Sequence, residues 1–336
     1  MSGASGANGA SGNESANGHA EVQGGSAPEE GPRFTPHADL SRVRAVIFDV
    51  DGVLLDARPS YHAAAEEGAR RAVAVALGEA RARAIPFERS AEIAQFKAAG
   101  GFNDDWEMSR AIAHLLLLRA RGGAVPTLAE VLVTTGARGV AGLVEAYGAA
   151  ATQGLSPAGH AALEPLWFSR VCGALYAGVL DCKKVYGFDA REVLGDAPER
   201  GYYERETPLC DPKVLAEVEA RWALALFTGR YPAEAELALR VLRLEINPRI
   251  RWTADGVRPR KPDPAGLLWL CEDLLEKKKR GTPEAETALF LGDTADDQAA
   301  AKAAQDAGAP LIYAHIEQAG DTTRALQSLI DQNTYT

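Results

Sequence analysis

The sequence predicts an α/β protein built on a doubly wound parallel sheet, with a large helical domain inserted near its start. Three observations carry this. Apolar runs at 43–48, 222–227 and 287–291 each stop at a segment bearing Asp, Thr or Gly, as strands buried in a parallel sheet do. Helical patterns separate the later runs, so strand and helix alternate and the sheet should be parallel with helices on both faces. Finally, residues 57–206 separate the first run from the second, far more chain than a connection inside a compact domain requires.

Residues 1–40 are rich in Gly, Ser, Ala and Asn with almost no aliphatic side chains, and are expected to form a disordered tail. The run 43–48 is β-branched and short, hence a buried strand. Within 57–206 the stretch 61–80 is Ala-, Arg- and Glu-rich, has no proline, and follows Pro59-Ser60, so it reads as a helix. The stretch 111–120 is a helix apolar enough to be buried, and 128–133 and 140–150 are further helical segments. Beyond it, Asp211-Pro212-Lys213 opens a helix to about 221, followed by the strand 222–227 and a helix over 233–244. A short strand at 250–253, a helix over 264–279, the strand 287–291, a helix over 295–306 and a strand at 310–314 complete the order. The expected domains are a tail (1–40), a core (41–56 and 207–336) and a helical cap (57–206), with no internal repeat.

The chemistry concentrates at strand ends. Phe48-Asp49-Val50-Asp51-Gly52 places two carboxylates just past the first strand, where open α/β sheets bind ligands. Two acids so close repel unless a cation lies between them, and Mg²⁺, which takes oxygen ligands, suits the pair. Thr228-Gly229-Arg230 follows the second run, and Gly292-Asp293-Thr294-Ala295-Asp296-Asp297 the third. A lysine stands before a rigid turn in Arg260-Lys261-Pro262-Asp263-Pro264. Three of these four segments follow strands and can meet at one sheet edge.

This order and spacing resembles the haloacid dehalogenase-like (HAD) hydrolase superfamily, within it the phosphatase subgroup (subfamily IA) with a helical cap between the first and second motifs. The matching positions are Asp49/Asp51, Thr228, Lys261 and Asp293/Asp297, and the likeness runs from about residue 43 onward. It implies a Mg²⁺-dependent phosphatase that hydrolyses a phosphate monoester of a small metabolite through an aspartyl-phosphate. Each role has a physical reason. A carboxylate attacking a doubly charged phosphate meets repulsion that Mg²⁺ removes. Asp49 is the expected nucleophile. Asp51 protonates the leaving alkoxide and then takes a proton from water, while in the resembling family its backbone carbonyl reaches the metal. Thr228 and the Gly229 amide donate hydrogen bonds to phosphoryl oxygens, and Lys261 adds a fixed positive charge. Asp293 is a further metal ligand. Asp297, on the first helical turn, orients Lys261 or a metal-bound water, and the family's spacing favours it over Asp296. The expected metal set is thus Asp49, Asp51, Asp293 and Asp297.

Family members that displace halide from carbon lack the second aspartate, so Asp51 favours phosphoryl transfer. A phosphomutase of the hexose-phosphate type also needs both aspartates and stays open. A non-catalytic binding module on the same fold is the reading of a different class, and the complete set of reacting groups speaks against it. P-type ATPases share the first motif but need membrane helices, which this sequence does not show.

Plainer explanations exist for each residue. Asp-Gly is a common turn dipeptide, Thr228, Asp293 and Asp297 suit helix N-termini, and Lys261 lies near Arg258 and Arg260 in what could be a solvated basic loop. Arg230 reads equally as a phosphate contact or a surface arginine. In the cap, the turn Gly100-Gly101-Phe102-Asn103-Asp104-Asp105-Trp106 offers Asn103 as a substrate contact or as the cap of the following helix. Phe102 and Trp106 either wall a ligand or fill the cap core.

The 336 residues carry a net charge of −10, which argues against a nucleic-acid partner. The basic run Lys277-Lys278-Lys279-Arg280 suits a helix C-terminus. Cys172, Cys182, Cys210 and Cys271 lack metal-ligand spacing, which suits a reducing compartment without zinc or a disulfide framework. No apolar run reaches the ~18 residues of a membrane span, so a soluble cytoplasmic protein with a small phosphorylated metabolite as its partner is expected.

Overall fold

The computed structural model describes residues 33–34, 39–99, 101–102, 104–122, 127–135, 138–275 and 286–334. Among these, strands β1 (Arg33–Phe34), β2 (Val43–Phe48), β3 (Leu55–Asp56), β4 (Thr207–Pro208), β5 (Ala223–Phe227), β6 (Arg251–Trp252), β7 (Thr287–Gly292) and β8 (Leu311–His315) form two sheets. The main sheet has the order β1-β8-β7-β2-β5-β6. All its neighbours are parallel except β1, which pairs antiparallel with β8. β1 lies inside the segment expected to be an unstructured tail; residues 1–32 and 35–38 of that tail lie outside the described residues.

Period-two alternation decides which helix each strand residue meets. Val46, Phe48, Leu224, Leu226, Leu289 and Leu291 pack on one face with helices α10 (Pro212–Arg221), α11 (Pro232–Leu242) and α14 (Asp321–Gln332). Ala45, Ile47, Ala225, Phe227, Ala288 and Phe290 pack on the other with α12 (Ala265–Leu274) and α13 (Ala295–Asp306). Both faces are covered, so the strands read as continuous apolar runs rather than alternating ones. The central strand β2 lies between β5 and β7 in parallel register, which brings three strand ends together at one edge.

β3 and β4 form a short antiparallel pair where the chain leaves the core and returns to it. The described elements between them are helical: a wide turn at Arg58–His62, then α1 (Ala63–Leu77), α2 (Glu79–Ala84), α3 (Arg89–Ala99), α4 (Asp105–Arg121), α5 (Leu128–Thr135), α6 (Gly139–Thr152), α7 (Pro157–Ala161), α8 (Pro165–Tyr186), α9 (Ala190–Leu194) and a tight helical turn at Tyr202–Arg205. This insertion has its own core, with Val73, Phe96, Phe102, Ile112, Leu116 and Phe168 at its centre. The fold is the expected α/β core with a helical insertion.

Local differences from expectation have local causes. The helix expected over 61–80 stops at Gly78, which takes φ 86°, a left-handed value that ends α1. α4 is capped by Asp104, whose carboxylate accepts from the Trp106 and Glu107 amides, rather than by Asn103. Phe102 is fully buried in the insertion's core rather than forming an open ligand wall. The helix expected over 264–279 is described through Leu274, and Lys277-Lys278-Lys279-Arg280 lies outside the described residues. All four cysteines are buried. Among the described residues no helix is long and apolar enough to cross a membrane.

Candidate active site

Backbone geometry builds the site at the ends of β2, β5 and β7. The Asp49 amide donates to the Leu291 carbonyl (2.9 Å), tying the first residue after β2 to β7. Asp49 Oδ1 accepts from the Val50 amide at 2.7 Å, which orients its carboxylate. Gly52 then turns the chain at φ 75°, and any Cβ there would lie 2.0 Å from Asp293 Oδ2. After β7, Thr294 caps α13 in a reciprocal box: its hydroxyl donates to Asp297 Oδ2 (2.6 Å) and accepts from the Asp297 amide (3.1 Å). The bland helix-cap role and a place in the site therefore coexist in Asp297.

Lys261 joins these pieces. Its Nζ lies 2.9 Å from Asp49 Oδ2 and 2.6 Å from Asp297 Oδ1, with the side chain only 12% exposed. The Phe227 ring lies beneath it, 4.9 Å from Nζ to centroid. It is therefore a buried ammonium between two carboxylates, not part of a solvated basic loop. Burial works against its charge, but Asp49 and Asp297 outweigh that and raise its pKa.

Asp49, Asp293 and Asp297 bring carboxylate oxygens within 4.8 Å of one another. Burial, with Asp297 and Asp293 adding to it against Lys261, pushes Asp49 well above the carboxylate range. Burial and then the Asp297 charge push Asp293 up to about 7. Asp293 Oδ1 is buried without a hydrogen-bond partner. One ammonium among three crowded carboxylates, with an oxygen left over, fits a hard divalent cation such as Mg²⁺. Both Asp297 oxygens are already engaged, by Thr294 and Lys261, which leaves Asp49 and Asp293 as the more available ligands.

The Asp51 carboxylate is outside this cluster, in keeping with a metal role expected of its backbone carbonyl and not of its side chain. It turns instead to Arg230, whose Nη2 lies 2.6 Å from Asp51 Oδ1. Only the backbone carbonyl of Asp51 is left for the metal role that the family resemblance assigned to it. Thr228 is buried, its amide donating to the Trp252 carbonyl (3.0 Å) and its hydroxyl oxygen accepting from the Arg230 amide (3.2 Å). Gly229 beside it is exposed. Asn103 lies outside the described residues. Its neighbour Asp104 faces Arg260 at 4.0 Å, bringing the N-terminus of α4 toward the segment that carries Lys261.

Arg230 is the residue that sequence reasoning left undecided, and its side chain is 1% exposed. Its partners Glu206 and Tyr176, and Ser60 bonded to Glu206, carry no local motif. Each is an ordinary residue of the insertion until the chain folds back on β5.

Fold and site together define an α/β scaffold with carboxylates and a lysine at its strand ends and a helical insertion after the first. The family model "Hydrolase: haloacid dehalogenase-like hydrolase" matches residues 43–305, and the chain belongs to that family of hydrolases. In three dimensions it is similar to phosphatase Tt82 from Thermococcus thioreducens, at 20% identity, 85% of this chain, 99% of that one and a TM-score of 0.61. A structural-genomics target with no function in its name is similar at 16% identity, 86% of this chain, all of that one and a TM-score of 0.55. No curated protein matches the sequence.

Proposed function

We propose that the chain is a Mg²⁺-dependent phosphatase that hydrolyses the phosphate monoester of a small metabolite through an aspartyl-phosphate on Asp49. The observation that carries this reading is Lys261 Nζ between Asp49 and Asp297, with Asp293 beside them at the carboxyl ends of adjacent parallel strands. The name of the Thermococcus phosphatase points the same way.

Asp49 attacks phosphorus, its carboxylate oriented by the Val50 amide on Oδ1 and by Lys261 on Oδ2. Lys261 balances charge on the nucleophile and the transferring group, and Asp297 holds Lys261 in place. Thr228 and the Gly229 amide receive phosphoryl oxygens. Asp51 protonates the leaving alkoxide, then deprotonates the water that hydrolyses the aspartyl-phosphate. Mg²⁺ held by Asp49, Asp293 and the backbone at Asp51 would offset the negative charge of the phosphoryl group. The helical insertion acts as the cap that excludes water and contacts the leaving group.

The test is phosphate release from a panel of small phosphate esters with Mg²⁺ and with EDTA, comparing wild type with Asp49→Asn. Metal-dependent release in the wild type should fall by roughly four orders of magnitude in the variant. Equal silence from both sinks the hydrolase reading; phosphoryl exchange between hydroxyls of a sugar phosphate would instead support a mutase.

A further inference from the structure

We infer that Arg230 is a positioning residue for Asp51, and that through it the helical insertion sets the orientation of this acid. The inference rests on the hydrolase reading above and extends it. The guanidinium grips Asp51 through two nitrogens, Nη2 at 2.6 Å and Nε at 3.1 Å from Oδ1. Its other bonds go to the insertion: Nη2 to Glu206 Oε2 at 2.9 Å and Nη1 to the Tyr176 hydroxyl at 2.9 Å. Glu206 is held in turn by the Ser60 hydroxyl, which donates to Oε1 at 2.6 Å. The segment where the insertion begins (Ser60), its helix α8 (Tyr176) and the segment where it ends (Glu206) thus converge on one cation.

These bonds occupy four of the five guanidinium N–H groups, and the side chain is 1% exposed, which leaves little with which to bind a phosphate. Asp51, by contrast, is 41% exposed, so one side of its carboxylate is open while Arg230 holds the other. The clamp also depends on close backbone packing. α8 breaks at Gly178 (φ 65°), and a Cβ on Gly201 would lie 2.1 Å from the Tyr176 carbonyl oxygen. An insertion displaced from the core would take Tyr176 and Glu206 away and leave Arg230 with Asp51 alone. Proton delivery to the leaving group is therefore linked to the seating of the insertion.

The test separates proton delivery from general damage. Arg230→Lys keeps the charge but loses the fork, and Glu206→Gln keeps the shape but loses the anion holding Arg230. Each variant is assayed on p-nitrophenyl phosphate, whose leaving group needs no proton, and on glycerol phosphate, whose alkoxide does. Leaving-group release is read in a single turnover, before the water step that also uses Asp51; it should be slower by roughly 100-fold on the alkyl ester and nearly unchanged on the aryl ester. In an Asp51→Asn background Arg230→Lys should add no further loss. Equal losses in the rate of leaving-group release on both esters overturn the assignment while leaving the hydrolase reading intact. Silence of the wild type on both esters overturns the hydrolase reading, and the assignment with it.

Discussion

Asp293 and Lys261 show how burial sets the chemistry of single residues. Asp293 ordinarily titrates near 3.8, but burial pushes it up to about 7. Between those values the folded chain, without a bound cation, holds a proton that the unfolded chain has lost. This contribution to stability is therefore full at low pH and is lost as pH rises toward about 7. A divalent cation displaces that proton, so its stabilising effect should grow with pH. Thermal midpoints at pH about 5 and about 8, with Mg²⁺ and with EDTA, should show a Mg²⁺-induced rise only at the higher value. Asp293→Asn should abolish that rise. A rise equal at both pH values would mean that Asp293 does not control the cation. Lys261→Met removes the one ammonium between Asp49 and Asp297. Turnover should fall about 10²- to 10³-fold, and the variant should lose up to about 3–5 kcal/mol of stability unless a carboxyl protonates. Denaturant melts together with single-turnover assays would read both; an unchanged turnover would remove Lys261 from the reaction.

Elements set the precision of the site. The β2–β3 turn works only because residue 52 is glycine, with φ 75° and Asp293 Oδ2 where a Cβ would stand, 2.0 Å away. Gly52→Ala should therefore disturb two motifs at once. Far-UV circular dichroism should stay native, while Mg²⁺-dependent stabilisation and turnover both fall by more than about tenfold. A fully active Gly52→Ala protein would show that the Asp293 carboxylate can move aside without consequence. The same logic applies at the end of β7, where a Cβ on Gly292 would lie 2.5 Å from the Asp297 Cβ. Strand-end glycines here let two acidic segments approach each other, and the capping box of α13 then fixes the second.

At the scale of the whole molecule, the question is what holds the insertion on the core. Glu234 of α11 is 3% exposed and accepts from two hydroxyls of the insertion, Tyr61 at 3.2 Å and Tyr186 at 2.5 Å. It also accepts from the Tyr231 amide, as the capping box of its own helix. Glu234→Ala would leave all three donors without this acceptor, and we expect a loss of about 3 kcal/mol in chemical denaturation. Arg240 makes a second link, 3.0 Å from Asp181 of α8, but its side chain is 48% exposed. Arg240→Ala should cost no more than about 1 kcal/mol, because exposed pairs are screened. Reversal of that order would mean that exposed ion pairs, not buried hydroxyl–carboxylate bonds, hold the insertion.

Local order made much of the fold legible. Strand residues buried on both faces write continuous apolar runs, so β2, β5 and β7 stand out, and the acids, threonine and glycines that follow them mark the sheet edge. Asp211 capping α10 and Thr294 capping α13 are local hydrogen bonds within a few residues of chain. Family membership was legible for the same reason, since the four motifs are short and ordered. Long-range packing decided the rest. Lys261 stands far from Asp49 in the chain, and only the fold makes it a buried counter-ion instead of one basic residue among several. Arg230 looked the same in sequence whether it met solvent or Asp51; the return of the insertion at Glu206 and the break of α8 at Gly178 bury it. Sequence alone determined which groups stand at the strand ends, because neighbours along the chain dictate strands, turns and caps. Tertiary structure alone decided which of those groups share a charge environment, because burial and ion pairing depend on contacts that no local pattern encodes.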